Sequence, residues 1–88
     1  METIQIRESA ENYLETILVL QKRHGHVRSI DIANELSFSK PSVSVAMKNL
    51  RLNGLIEIDE DGIITLQEAG RVIAERIYER HTLLTQWL

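Results

Sequence analysis

The sequence predicts a mainly α domain carrying one small β-hairpin. Three observations predict it. Apolar residues recur at three and four over "SAENYLETILVLQKRHG", residues Ser9 to Gly25, and again from Gln67 to the end. Two short helical patterns, "RSIDIANEL" and "KPSVSVAMKNLRL", stand close together between them. The stretch "LIEIDEDGIITL" alternates, turns at Asp61-Gly62 and alternates again, which is a hairpin pattern.

Composition sets the frame. The chain has 88 residues, 43% hydrophobic and 26% charged, with net charge -3. That is the size of one small soluble domain, or of one domain and part of another. There is no cysteine, so disulfides, thiolate metal sites and cysteine nucleophiles are excluded, and a reducing cytoplasm fits. No apolar run is long enough to span a membrane. No phosphate-cradling loop, nucleophile–base pair or carboxylate dyad is visible, so the sequence does not read as an enzyme.

The elements follow in order. The first helix is expected from Ser9, as N-cap, to His24. Its stripe is Ala10, Tyr13, Leu14, Ile17, Leu18 and Gln21, its last turn carries Lys22 and Arg23, and Gly25 stops it. The second helix is expected to be capped by Ser29 and to turn Ile32, Ala33 and Leu36 inward. The third opens with Ser39 as cap and Lys40-Pro41 in the first turn, where proline loses no helical hydrogen bond. Val43, Met47 and Leu50 form its buried stripe, and Asn53-Gly54 ends it.

Hairpin register is decided by faces. A loop of Glu60, Asp61 and Gly62 sets Ile58 against Ile64 and Ile56 against Leu66, keeping the apolar residues together, with Gly62 left-handed. The last helix then carries Ala69, Val72, Ile73, Ile77, Leu84 and Leu88 on its stripe, with Leu83 and Trp87 beside them. This apolar end implies a fragment, a partner or both. Leu83, Leu84, Trp87 and Leu88 are the expected dimer-interface residues.

Helix, helix, turn, helix, hairpin, helix is the winged helix-turn-helix order. In that arrangement the third helix projects Ser39, Lys40, Ser42, Ser44, Val45 and Lys48 outward. From Ser37 to Asn53 there are three basic residues and no Asp or Glu, within an acidic chain. Small, hydroxyl-bearing, methyl-bearing and basic side chains suit a DNA major groove; an acid there would face phosphate. The hairpin is the opposite. Glu57, Asp59, Glu60 and Asp61 make it acidic, so its tip is expected to stand off from DNA or touch it through backbone amides.

The stretches "ENYLETILVL", "IDIANEL", "SKPSVSVAMKNLRLNGLI" and "YERHTLLTQWL", in this order, resemble the amino-terminal part of the diphtheria-toxin-repressor family. That is the family of iron- and manganese-dependent transcriptional repressors; the manganese transport regulators are one branch. The resemblance implies a winged helix-turn-helix DNA-binding domain over 1–70. It implies that 71–88 begins a helical dimerisation and metal-sensing domain. Its recognition motif falls on Ser39 to Ser44 and adds Pro41 to the contact set, with Ser39, Ser42 and Val45 as base or sugar contacts. It implies a homodimer on a palindromic operator in double-stranded DNA, and repression of metal-uptake genes with Mn2+ or Fe2+ as cofactor. Glu15 and His81 match two metal ligands. The third matching position holds Asn12, a departure, since an amide oxygen brings no charge to a hard cation. Thr85 stands where iron-branch members place a glutamate. Two rival readings stay open: a winged-helix regulator with no metal dependence, and a winged-helix protein–protein interaction module.

Overall fold

The computed structural model describes the backbone of residues 2–87 and the side chains of residues 9–83. The elements are α1 (Glu2–His24), α2 (Ser29–Leu36), α3 (Lys40–Leu52), β1 (Ile56–Ile58), β2 (Ile64–Leu66) and α4 (Glu68–Trp87). The expected mainly α fold with one hairpin is what forms.

α1 is the centre of the domain. Tyr13, Leu14, Ile17, Leu18 and Leu20 are all buried, and α2, β2 and α4 pack around them. The helix starts at Glu2 rather than at Ser9, which lies inside it. No glycine or proline precedes Ser9, and the Glu, Gln and Arg there favour helix, so nothing halts its run toward the N-terminus. Gly25 ends the helix with φ 91°.

The N-cap position of α2 is Arg28, not Ser29, which is its first helical residue. The Arg28 N–H donates to the Asp31 carboxylate at 2.9 Å. The acid three residues on takes the N-cap N–H, as the N3 acid of a capping box does. Ile32 and Ala33 are buried and Leu36 half-buried, as its spacing predicts. The turn to α3 passes through Ser37, which adopts a left-handed conformation at φ 58°. Phe38 then lies edge-on to Tyr13, with ring centres 6.0 Å apart, and ties the turn to α1.

The hairpin pairs Ile58 with Ile64, Glu57 with Thr65 and Ile56 with Leu66. That is the register in which the apolar residues meet. The Asp59 N–H donates to the Ile63 carbonyl at 3.1 Å, which leaves Glu60, Asp61 and Gly62 as the loop. Gly62 takes φ 81°. Val27, fully buried, adds a contact that no sequence signal announces: its carbonyl accepts from the Ile64 N–H at 2.7 Å. The hairpin is thereby sewn to the segment before α2.

α4 lies against α1. Its inner face differs from the expected stripe. Gly70 and Ala74 are buried and Ile73 and Ile77 half-buried, whereas Ala69 and Val72 are exposed. The reason is a close approach at Gly70. A β-carbon there would stand 2.1 Å from the Leu55 carbonyl oxygen, so the helix rolls its smallest residue toward the core. Of the expected dimer residues, Leu83 is exposed; the side chains of Leu84 and Trp87, and Leu88 entirely, lie outside the described residues.

Candidate nucleic-acid interface and α1–α4 joint

α3 sorts its residues cleanly by side. Val43, Met47 and Leu50 are buried against the core. Ser39, Lys40, Pro41, Ser42, Ser44, Val45 and Lys48 are all exposed. Val45 is 61% exposed. The helix starts where the sequence places it. The Ser39 hydroxyl accepts from the Ser42 N–H at 3.3 Å and donates to the Ser42 hydroxyl at 2.8 Å, with Pro41 in the first turn. Two of the outward serines are thus held in fixed positions by the cap itself. No acid lies on the helix, so its outer face carries only positive or neutral groups.

Leu52 also lies on the outer side, 67% exposed, seven residues after Val45 and therefore nearly in line with it. The sequence reading passed over it. The only signal available was this phase relation to Val45.

A second feature is the joint between α1 and α4. The Glu15 carboxylate and His81 Nδ1 meet at 2.6 Å across the two helices. Glu15 is largely covered while His81 stays more than half exposed. Two turns further along α1, the exposed Lys22 ammonium lies 5.4 Å from the Tyr78 ring centre, a cation–π contact between the same helices. Asn12 is exposed, one turn before Glu15 on α1. A carboxylate oxygen and an imidazole nitrogen are suitable donors for a first-row divalent cation. Among the described residues no three His, Cys, Asp or Glu side chains assemble for a metal ion. Glu15 and His81 therefore fit as part of a ligand set and do not make one by themselves. Tyr13, against the same helix, has its phenol pushed above the usual range by burial.

The wing is fixed from within. Asp59 Oδ1 accepts from the Asp61 and Ile63 N–H groups, each at 2.9 Å. Arg28 Nε donates to the Asp61 carbonyl at 3.0 Å. Glu57, Glu60 and Asp61 are exposed. Among the described residues no helix is long and apolar enough to cross a membrane.

Three helices with the second pair joined by a tight turn, an anchored helix presenting an acid-free outer face, and a two-stranded wing define a winged helix-turn-helix DNA-binding domain. The chain belongs to the iron-dependent repressor family: residues 5–64 match its model for "Iron dependent repressor, N-terminal DNA binding domain". It is 33% identical over 82 residues to the transcriptional regulator MntR of Escherichia coli O157:H7, covering 93% of this chain and 53% of that protein. It is 34% identical over 80 residues to the HTH-type transcriptional regulator MntR of Geobacillus kaustophilus, covering 91% of this chain and 57% of that one. Among solved structures, the manganese regulator SloR superposes with a TM-score of 0.69 at 32% identity, over 82% of this chain and 34% of that one. The chain spans about half the length of the curated relatives it matches. These relatives are transcriptional or manganese regulators.

Proposed function

We propose that this chain is the DNA-reading part of a divalent-metal-dependent repressor that binds a palindromic operator as a homodimer. The observation that carries the reading is the division of α3. Val43, Met47 and Leu50 fasten it, and Ser39, Lys40, Pro41, Ser42, Ser44, Val45 and Lys48 stand free in solvent on an acid-free surface. In this reading α3 enters the major groove. The first-turn serines and Pro41 approach bases and sugars, Val45 meets a thymine methyl, and Lys40 and Lys48 meet phosphates. Protein two-fold symmetry matches two half-sites, with Leu83, Leu84, Trp87 and Leu88 at the subunit contact and 71–88 opening the dimerisation domain.

Glu15 and His81 would hold part of a Mn2+ or Fe2+ site, completed from outside this chain. Bound there, the cation would supply fixed positive charge that draws α1 and α4 together. Because those helices frame the DNA-binding unit, ligation would bias the placement of α3 in the dimer. Asn12 favours a second reading, a regulator of the same fold that does not depend on metal, since its amide oxygen brings no charge to a hard cation.

The test is a mobility-shift titration of the longer native protein on DNA upstream of a metal-transporter gene, with and without Mn2+ or Fe2+. A metal-dependent shift supports the first reading and an indifferent one the second. Ser42→Glu should weaken binding at least about a hundredfold with the fold intact, because it sets a carboxylate against phosphate at an exposed position. Wild-type affinity in that variant would remove α3 from the interface.

A further inference from the structure

The wing and the first turn of α2 make one flank of the domain, next to the helix pair that precedes α3. A helix N-terminus with an arginine beside it ordinarily attracts phosphate of any sequence. Here the attraction is countered at each point. The Arg28 N–H is taken by the Asp31 carboxylate at 2.9 Å. Arg28 Nε is taken by the Asp61 carbonyl at 3.0 Å. Asp31 places an acid in the first turn of α2.

The wing tip beside Arg28 carries Glu60 and Asp61, both exposed, and Glu57 lies on the exposed side of β1 opposite Thr65. These acids stand on a rigid support. Asp59 grips two backbone N–H groups of the loop at 2.9 Å, Arg28 holds a third point, and Val27 sews β2 to the chain before α2 at 2.7 Å. These bonds fix the backbone from which the acids project.

We propose that this acidic flank is a specificity device: Glu57, Glu60 and Asp61 deny DNA a sequence-independent phosphate grip at Arg28 and the start of α2. The proposal rests on the DNA-binding reading of α3 and deepens it. Non-specific affinity is almost wholly phosphate electrostatics, so carboxylates beside the backbone reduce it most. A complex held by base-edge contacts along α3 loses a smaller share. The acids act within a Debye length of about 8–10 Å at moderate salt, so the effect fades as salt rises.

The experiment uses the longer native protein and the triple variant Glu57→Gln, Glu60→Gln, Asp61→Asn. Asp59 is left in place because it braces the loop. Affinity is measured, with Mn2+ present throughout, for a duplex selected by the wild-type protein from a random pool and for an unrelated duplex of equal length, at low and high salt. Thermal melts by circular dichroism confirm folding. The variant is expected to bind the unrelated duplex about three- to tenfold more tightly at low salt. Its preference for the selected duplex should fall, and the gain should shrink at high salt. Unchanged affinity for the unrelated duplex overturns the proposal, and so does an equal gain on both duplexes. If Ser42→Glu abolishes binding while the triple variant behaves as wild type, the wing proposal alone falls. If wild type and triple variant both bind no duplex at low salt, the reading of α3 falls and takes the wing proposal with it.

Discussion

α3 and α4 flank the same core and are seated by opposite means. α3 is held by what its side chains add: Val43, Met47 and Leu50 fill space beneath it and are 4% exposed or less. α4 is held at its start by what a side chain leaves out. Gly70 lets the helix approach the Leu55 carbonyl, where a β-carbon would stand 2.1 Å from the oxygen. Further along, Ala74 is buried and Ile73 and Ile77 half-buried, and two surface contacts, Lys22 with Tyr78 and Glu15 with His81, join α4 to α1. A helix seated by apolar fill is fixed in register. A helix that makes a close backbone approach is fixed most sharply at the point of that approach.

The heaviest blow to this contrast falls on α3. Val43→Glu buries a carboxylate in the apolar core, a cost of more than about 4 kcal/mol. A domain of this size has about 5–15 kcal/mol in total. The expected outcome is a chain with no cooperative thermal transition by circular dichroism at 25 °C and above, or one shifted down by tens of degrees. A melting temperature near that of the wild type would show that the inward stripe of α3 is misassigned, and the outward one with it.

This asymmetry also explains which parts the sequence discloses. Apolar fill leaves a periodic trace, so the stripes of α1, α2 and α3 and the Ile58–Ile64 register could be read directly. The cap at Ser39 was legible because a hydroxyl, a proline and an apolar stripe coincide there. A close approach leaves almost no trace. Gly70 reads as one more residue in a helix, and counting apolar positions turned Ala69 and Val72 inward when both are exposed. Val27 escaped because one strand-like hydrogen bond has no period. At α2 the capping partner was visible as Asp31, but Ser29 offered the more familiar cap. The pairing of Glu15 with His81 joins residues 66 apart, which only the family resemblance could have brought together.

Gly70→Ala probes the α4 side of the contrast. The added methyl meets the Leu55 carbonyl oxygen, and the Leu55 carbonyl also accepts from the Gln67 N–H at 3.0 Å. Relief therefore requires shifting the junction that starts α4. Such overpacking costs about 1–3 kcal/mol, against a gain of up to about 1 kcal/mol in helix propensity. The net expectation is a loss of about 1–2 kcal/mol, or roughly 4–16 °C in melting temperature for a domain of this length. A variant more stable than the wild type would mean that α4 does not make this approach.

The smallest effect belongs to the clasp. A hydrogen-bonded Glu–His pair in which the imidazole is more than half exposed contributes about 0.5–1 kcal/mol after solvent screening. A double-mutant cycle of Glu15→Gln and His81→Gln, read by chemical denaturation without added metal, should give a coupling energy in that range. It isolates the pair from whatever else each side chain touches. A coupling of several kcal/mol would make α4 as firmly seated as α3 and erase the contrast. If Glu15 and His81 ligate a cation as proposed, it can shift the α1–α4 joint only by as much as its affinity differs between the two arrangements. Repeating the cycle with Mn2+ present sharpens the point: if both side chains ligate, the coupling rises with metal concentration, and either single variant removes the rise.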